Sequence, residues 1–181
     1  MKNLGTLPRG WTGTGFAGSL RSNHEIFNVI AEAICDSLTC AVQETGESGV
    51  SVAEALKKVT YRVVDNRVWS GGNLSEGAKA VALAVLHAGS VMGTGSMEAL
   101  GLAVEVFIRR TVELNGDVGA AACGLVQGAG EGARELGLSA EAVSSQAALN
   151  AVKAAYGMDL DSGDKVLDAL AEFFSGMSVA L

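Results

Sequence analysis

The chain has 181 residues, a length that suits one domain with its own hydrophobic core. A composition that is 49% hydrophobic with one proline excludes a disordered chain and leaves helices uninterrupted. The formal net charge of −7, with no basic patch, argues against nucleic acid and anionic membranes as the main partners. Only 5% of the residues are aromatic and 24 are glycine, so we expect a core of small side chains and closely spaced helices.

Residues 1–22 are rich in glycine and show no hydrophobic periodicity. We predict an extended arm here, followed by a helical domain at residues 23–181. Trp11 and Phe16 would pin the arm to an apolar surface of the domain or of a neighbouring subunit. Lys2 is followed by no apolar run, so no signal peptide is expected. The GxGxxG match at 13–18 lacks the preceding strand that a dinucleotide site needs, and no cofactor is predicted.

The first two predicted helices are amphipathic. Apolar residues line one side of 23–45 and polar residues line the other. A capping box at Ser51 to Glu54 predicts that the second helix starts at Ser51. Because residues 59–68 are rich in β-branched side chains, a strand there stays open as an alternative. A turn is predicted at 69–73, with Trp69 as a candidate contact residue.

The third predicted helix opens at Leu74, and from Ala80 to Val85 it is apolar on every side, which is typical of a central helix. Residues 80–97 carry no formal charge, and this uncharged segment is just long enough to span a membrane. The Gly-Thr-Gly-Ser run at 93–96 indicates instead a helix end and a new cap at Ser96. A buried helix is therefore favoured over a membrane segment, and a fourth helix follows.

The fifth predicted helix is capped by Asp117 and runs to about Leu136, and small residues fall at every fourth position from Gly116 to Gly132. These fall on one face of a helix, where another backbone can approach closely. We expect an interior helix near the third one, with Gly124, Gly128 and Gly132 as contact residues within the chain or between subunits. Charged residues near its end make it too short to span a membrane.

The last two predicted helices run from Ala140 to Tyr156 and from Asp164 to about 175, joined by an acidic loop at 157–163. The final helix is expected to bury five apolar side chains, Val166, Leu167, Leu170, Phe173 and Phe174. The loop resembles a calcium loop only in part, because its glycine comes one position early and its twelfth position is Leu170. The weak metal candidates there are Asp159, Asp161 and Asp164, and the simpler interpretation is a solvated acidic loop.

Cysteine and histidine offer little that points to catalysis. Cys35, Cys40 and Cys123 form no CxxC pair, and their odd number favours free thiols in a reducing cytoplasm. Cys123 could act as a nucleophile with His87 as its base only if their two helices face each other. Both residues are weak catalytic candidates, and a small buried cysteine is the simpler interpretation.

The sequence therefore predicts an all-α protein, a single globular domain of about seven helices around two central small-residue helices, preceded by a glycine-rich arm. The favoured function is a non-enzymatic structural protein of the cytoplasm that associates with itself through its small-residue helix faces and its arm. One alternative is a binder of an apolar small molecule or lipid between helices. The other is an enzyme that uses Cys123 and His87.

Overall fold

The computed structural model describes residues 48–70, 73–92 and 95–178. Within these residues the protein is all-α: six helices and no strand. They are α1 (Ser48–Ser70), α2 (Leu74–Met92), α3 (Ser96–Glu113), α4 (Val118–Glu135), α5 (Ala140–Tyr156) and α6 (Leu160–Ser178). The predictions for the arm, with Trp11 and Phe16, and for the helix at 23–45 concern residues outside these ranges.

Helix α1 corrects three details of the sequence analysis. It begins at Ser48 rather than Ser51, and the segment 59–68 is helical, so the strand alternative is wrong. Burial of Leu56 and Val64 on one side of the helix outweighs the weak strand preference of the β-branched residues. Trp69 belongs to the last turn of α1 rather than to a loop, and its side chain lies outside what the structure describes.

Helices α2 and α4 form the most extensive helix pair in the described fold. Every residue from Val81 to Leu86 on α2 is buried, as predicted from the apolar residues on every side of this segment. The two helices run parallel, since Ser75 of α2 lies beside Gly124 of α4 and Lys79 lies beside Gly128. Helix α1 packs on α2 and α3, whereas α6 packs on α4 and α5.

Two tight connections hold the second half of the fold in place. Just past the end of α3, Asn115 has a φ of 53°, and just past the end of α4, Gly137 has a φ of 70°. In each case the next residue donates its N–H to a carbonyl five positions earlier, the hydrogen bond of a Schellman motif. Asp117 and Ser139 then cap α4 and α5 by accepting backbone N–H groups.

The uncharged segment 80–97 is divided between two helices. Helix α2 ends at Met92 and α3 begins at Ser96, with Gly95 rather than Ser96 as the N-cap residue. Across the described ranges, every helix is too short or too polar to cross a membrane.

Candidate functional site

The glycine-lined face of α4 lies directly against the backbone of α2. A Cβ atom at Gly124 would lie 2.1 Å from the carbonyl oxygen of Ser75, and one at Gly128 would lie 2.2 Å from that of Lys79. At Gly132 the nearest atom is Cδ1 of Leu86, at 3.0 Å. The close approach predicted from the glycine spacing is thus made inside the chain, and α2 of the same copy occupies this face.

Polar side chains flank the same helix pair. Lys79 on α2 donates to Glu131 on α4 at 2.7 Å, and Gln127 donates to the same carboxylate oxygen at 3.1 Å. Further along, Nε2 of His87 lies 2.7 Å from Oε2 of Glu135. These contacts follow from the parallel register of α2 and α4.

The structure does not bring His87 and Cys123 together. His87 contacts Glu135, which lies twelve residues beyond Cys123 on α4, or about 18 Å along the helix axis at 1.5 Å per residue. The Sγ atom of Cys123 instead donates to the carbonyl oxygen of Ala169 on α6, at 3.6 Å. Burial, reinforced by the negative charge of Asp117, raises the pKa of the Cys123 thiol. This arrangement suits a packed thiol and disfavours a reactive thiolate.

The acidic segment near residue 160 is the start of α6 rather than a loop. The helix begins at Leu160, earlier than the predicted Asp164, because Asp159 caps it. The carboxylate of Asp159 accepts the backbone N–H of Ser162 at 2.7 Å and its hydroxyl at 2.9 Å. Both hydrogen bonds lower the pKa of Asp159, and the one from the backbone N–H of Ser162 has the larger effect.

The other two metal candidates also have partners. Asp161 accepts from Lys165 one turn along α6, and Asp164 accepts from the hydroxyl of Tyr156 at 2.7 Å. The ring of Tyr156 lies where a Cβ atom at Gly163 would be, so α5 and α6 are in close contact here. In the part of the chain that the structure describes, no three His, Cys, Asp or Glu side chains are placed to hold a metal ion.

An ion-pair cluster joins α1 and α3. Arg110 donates to both carboxylate oxygens of Asp65, at 2.7 and 3.2 Å, and to Glu113 at 2.9 Å. Its guanidinium lies 4.9 Å from the centre of the Tyr61 ring. The two carboxylates raise the pKa of Arg110 above its ordinary value. Because Asp65 lies on α1 and Arg110 on α3, these charged hydrogen bonds tie the two helices together.

The exposed large apolar side chains concentrate on α5, α6 and their connection. Of the seven in the described ranges, six lie there: Leu149, Tyr156, Met158, Leu160, Leu167 and Phe174. Leu160 is 75% exposed, Leu167 49% and Phe174 38%, although the sequence analysis placed Leu167 and Phe174 in the core. The prediction was wrong because the apolar residues of α6 cover more than one face, and α4 and α5 cover only the face with Val166 and Leu170.

Leu160, Leu167 and Phe174 recur every seventh residue and therefore lie along one side of α6. Ala171 lies among them and is also exposed. We call these four residues the α6 strip. The sequence carried this signal in the seven-residue spacing, but it could not show which side of α6 a neighbouring helix would cover.

The chain matches no family model and no curated protein.

Proposed function

We propose that the protein is a structural, self-associating helical protein rather than an enzyme. The observation that supports this most is the α6 strip, which places two leucines and a phenylalanine on the surface along one line. A line of exposed apolar residues of this kind commonly marks a surface that contacts another protein. Fully burying an exposed side chain of this size contributes about 1.5–3 kcal/mol. Leu167 and Phe174 are half-buried already and contribute less each, so the strip holds two copies together only through its members combined.

The proposal assigns different roles to the two apolar features of the chain. The glycine face of α4 serves the fold, because α2 already occupies it. The contacts between subunits are assigned to α6 and to the arm at 1–22, which brings Trp11 and Phe16. An enzyme built on Cys123 and His87 is disfavoured, because about 18 Å along the α4 axis separates the two groups.

Light scattering tests this proposal when the full chain is measured over a hundred-fold dilution beside a chain that lacks residues 1–22. We expect a mass above that of one copy for the full chain, and a lower mass or a weaker association after the deletion. A strict monomer at all concentrations, unchanged by the deletion, would refute the proposal.

A further inference from the structure

The outer side of α6 combines an apolar strip with an acidic border. Successive helical residues are about 100° apart, which places the α6 strip along one line of the helix. Four exposed carboxylates lie beside that line: Asp161, Asp164, Asp168 and Glu172. With one lysine, Lys165, the helix has a net charge of −3. The surface therefore suits a partner that brings apolar groups and positive charge together.

The arm at residues 1–22 has the complementary composition. It carries Lys2, Arg9 and Arg21 and no acidic residue, a formal charge of +3. It also carries both aromatic residues that precede the predicted helix at 23–45, Trp11 and Phe16. In a chain with a net charge of −7, this segment of 22 residues carries a net charge of the opposite sign.

We propose that residues 1–22 of one copy dock on the outer side of α6 of a second copy. Trp11 and Phe16 contact the α6 strip, and the basic residues lie along its acidic border. This inference rests on the proposed self-association and adds to it the surface and the segment that fills it.

A second copy suits the arm better than the same chain because of the helix order. The arm precedes α1, which packs on α2 and α3, whereas α6 packs on α4 and α5. The described chain therefore begins at Ser48 on a helix whose main packing partners do not include α6. Exchange of arms between two copies gives each copy one docked arm and one covered strip, which closes a two-fold symmetric dimer.

The apolar part of the contact is tested with matched leucine variants of the full chain. Leu167→Glu changes the α6 strip, whereas Leu138→Glu makes the same change at a leucine that is 43% exposed in the turn before α5. By sedimentation equilibrium, we expect Leu167→Glu to weaken association about tenfold or more and Leu138→Glu to leave it unchanged. Circular dichroism confirms that both variants fold. Equal effects of the two variants, or no effect of Leu167→Glu, would overturn the docking site.

Charge exchange tests the partner directly. One variant reverses the arm (Lys2→Glu, Arg9→Glu and Arg21→Glu), and the other reverses part of the border (Asp168→Lys and Glu172→Lys). Each alone should associate more weakly than the natural chain. An equal mixture should form mixed pairs more tightly than either variant pairs with itself, because one contact then joins two reversed surfaces and the other two natural ones.

The outcomes separate the docking site from the proposed function. A mixture that stays as weak as its components overturns the docking site. An oligomer of the full chain that neither the leucine nor the charge variants weaken leaves self-association standing and removes α6 as its surface. A full chain that is monomeric at every concentration removes both.

Discussion

Replacement of Gly128 by alanine tests the close contact between α2 and α4. The new Cβ would lie 2.2 Å from the carbonyl oxygen of Lys79 and 2.9 Å from its carbonyl carbon. Ordinary contact is more than 3 Å, so the helices must separate by about 1 Å, a gap that forfeits a quarter to a half of the dispersion energy across it. Overpacking of this kind costs about 1–3 kcal/mol, and alanine recovers about 1 kcal/mol of helix propensity.

We therefore expect Gly128→Ala to lower the free energy of unfolding by up to about 2 kcal/mol, and Gly124→Ala to do the same. Urea unfolding followed by circular dichroism measures the difference. Gly132→Ala should cost less, because it meets the flexible end of Leu86 rather than backbone.

Gly176→Ala is the control for helix propensity. Nothing lies within 4 Å of its Cβ position on α6, so this variant should be as stable as the natural chain or more stable, by up to about 1 kcal/mol. If Gly128→Ala and Gly124→Ala were stabilising like the control, the backbone contact described here would be wrong.

Two further predictions concern titratable groups. In a Cys35→Ser and Cys40→Ser background, Cys123 should react with iodoacetamide at pH 7 more slowly than a small free thiol, because burial raises its pKa; a faster reaction that levels off below pH 7 would contradict the structure. Because folding lowers the pKa of Asp159, its ionised carboxylate stabilises the folded state. This stabilisation is complete above the ordinary carboxyl pKa of about 3.9 and is lost as the pH falls through the pKa of the folded state. Asp159→Asn should therefore melt with a smaller loss of stability on acidification from pH 5 to pH 2.5 than the natural chain, and an identical loss would show that this carboxylate does not contribute.

Local patterns were enough to predict most of the helical architecture. The four-residue spacing of Gly124, Gly128 and Gly132 predicted a close helix contact, because spacing along one helix fixes which residues share a face. The fully apolar segment of α2 predicted its burial for the same reason. Both predictions concern properties that a single helix carries within its own sequence.

The start and the contacts of α6 were harder to predict. Asp159 and Asp164 could each begin α6, and only the hydrogen bonds of Asp159 to Ser162 decide between them. The contact of His87 with Glu135 depends on the register between two helices that are not consecutive, which no local pattern contains. Leu167 was placed in the core because its apolar character does not reveal whether a neighbouring helix covers it.

The central claim is that the arm of one copy lies on α6 of another, and zero-length cross-linking tests it most directly. Equal amounts of the full chain with natural and with heavy nitrogen are mixed, unfolded in urea and refolded together so that copies of both kinds can pair. A carbodiimide then joins amines to nearby carboxylates. We expect cross-links from Lys2 to Asp168 or Glu172 in which one peptide is light and the other heavy. Such cross-links only between peptides of the same isotope, or none from Lys2 to α6, would contradict the account.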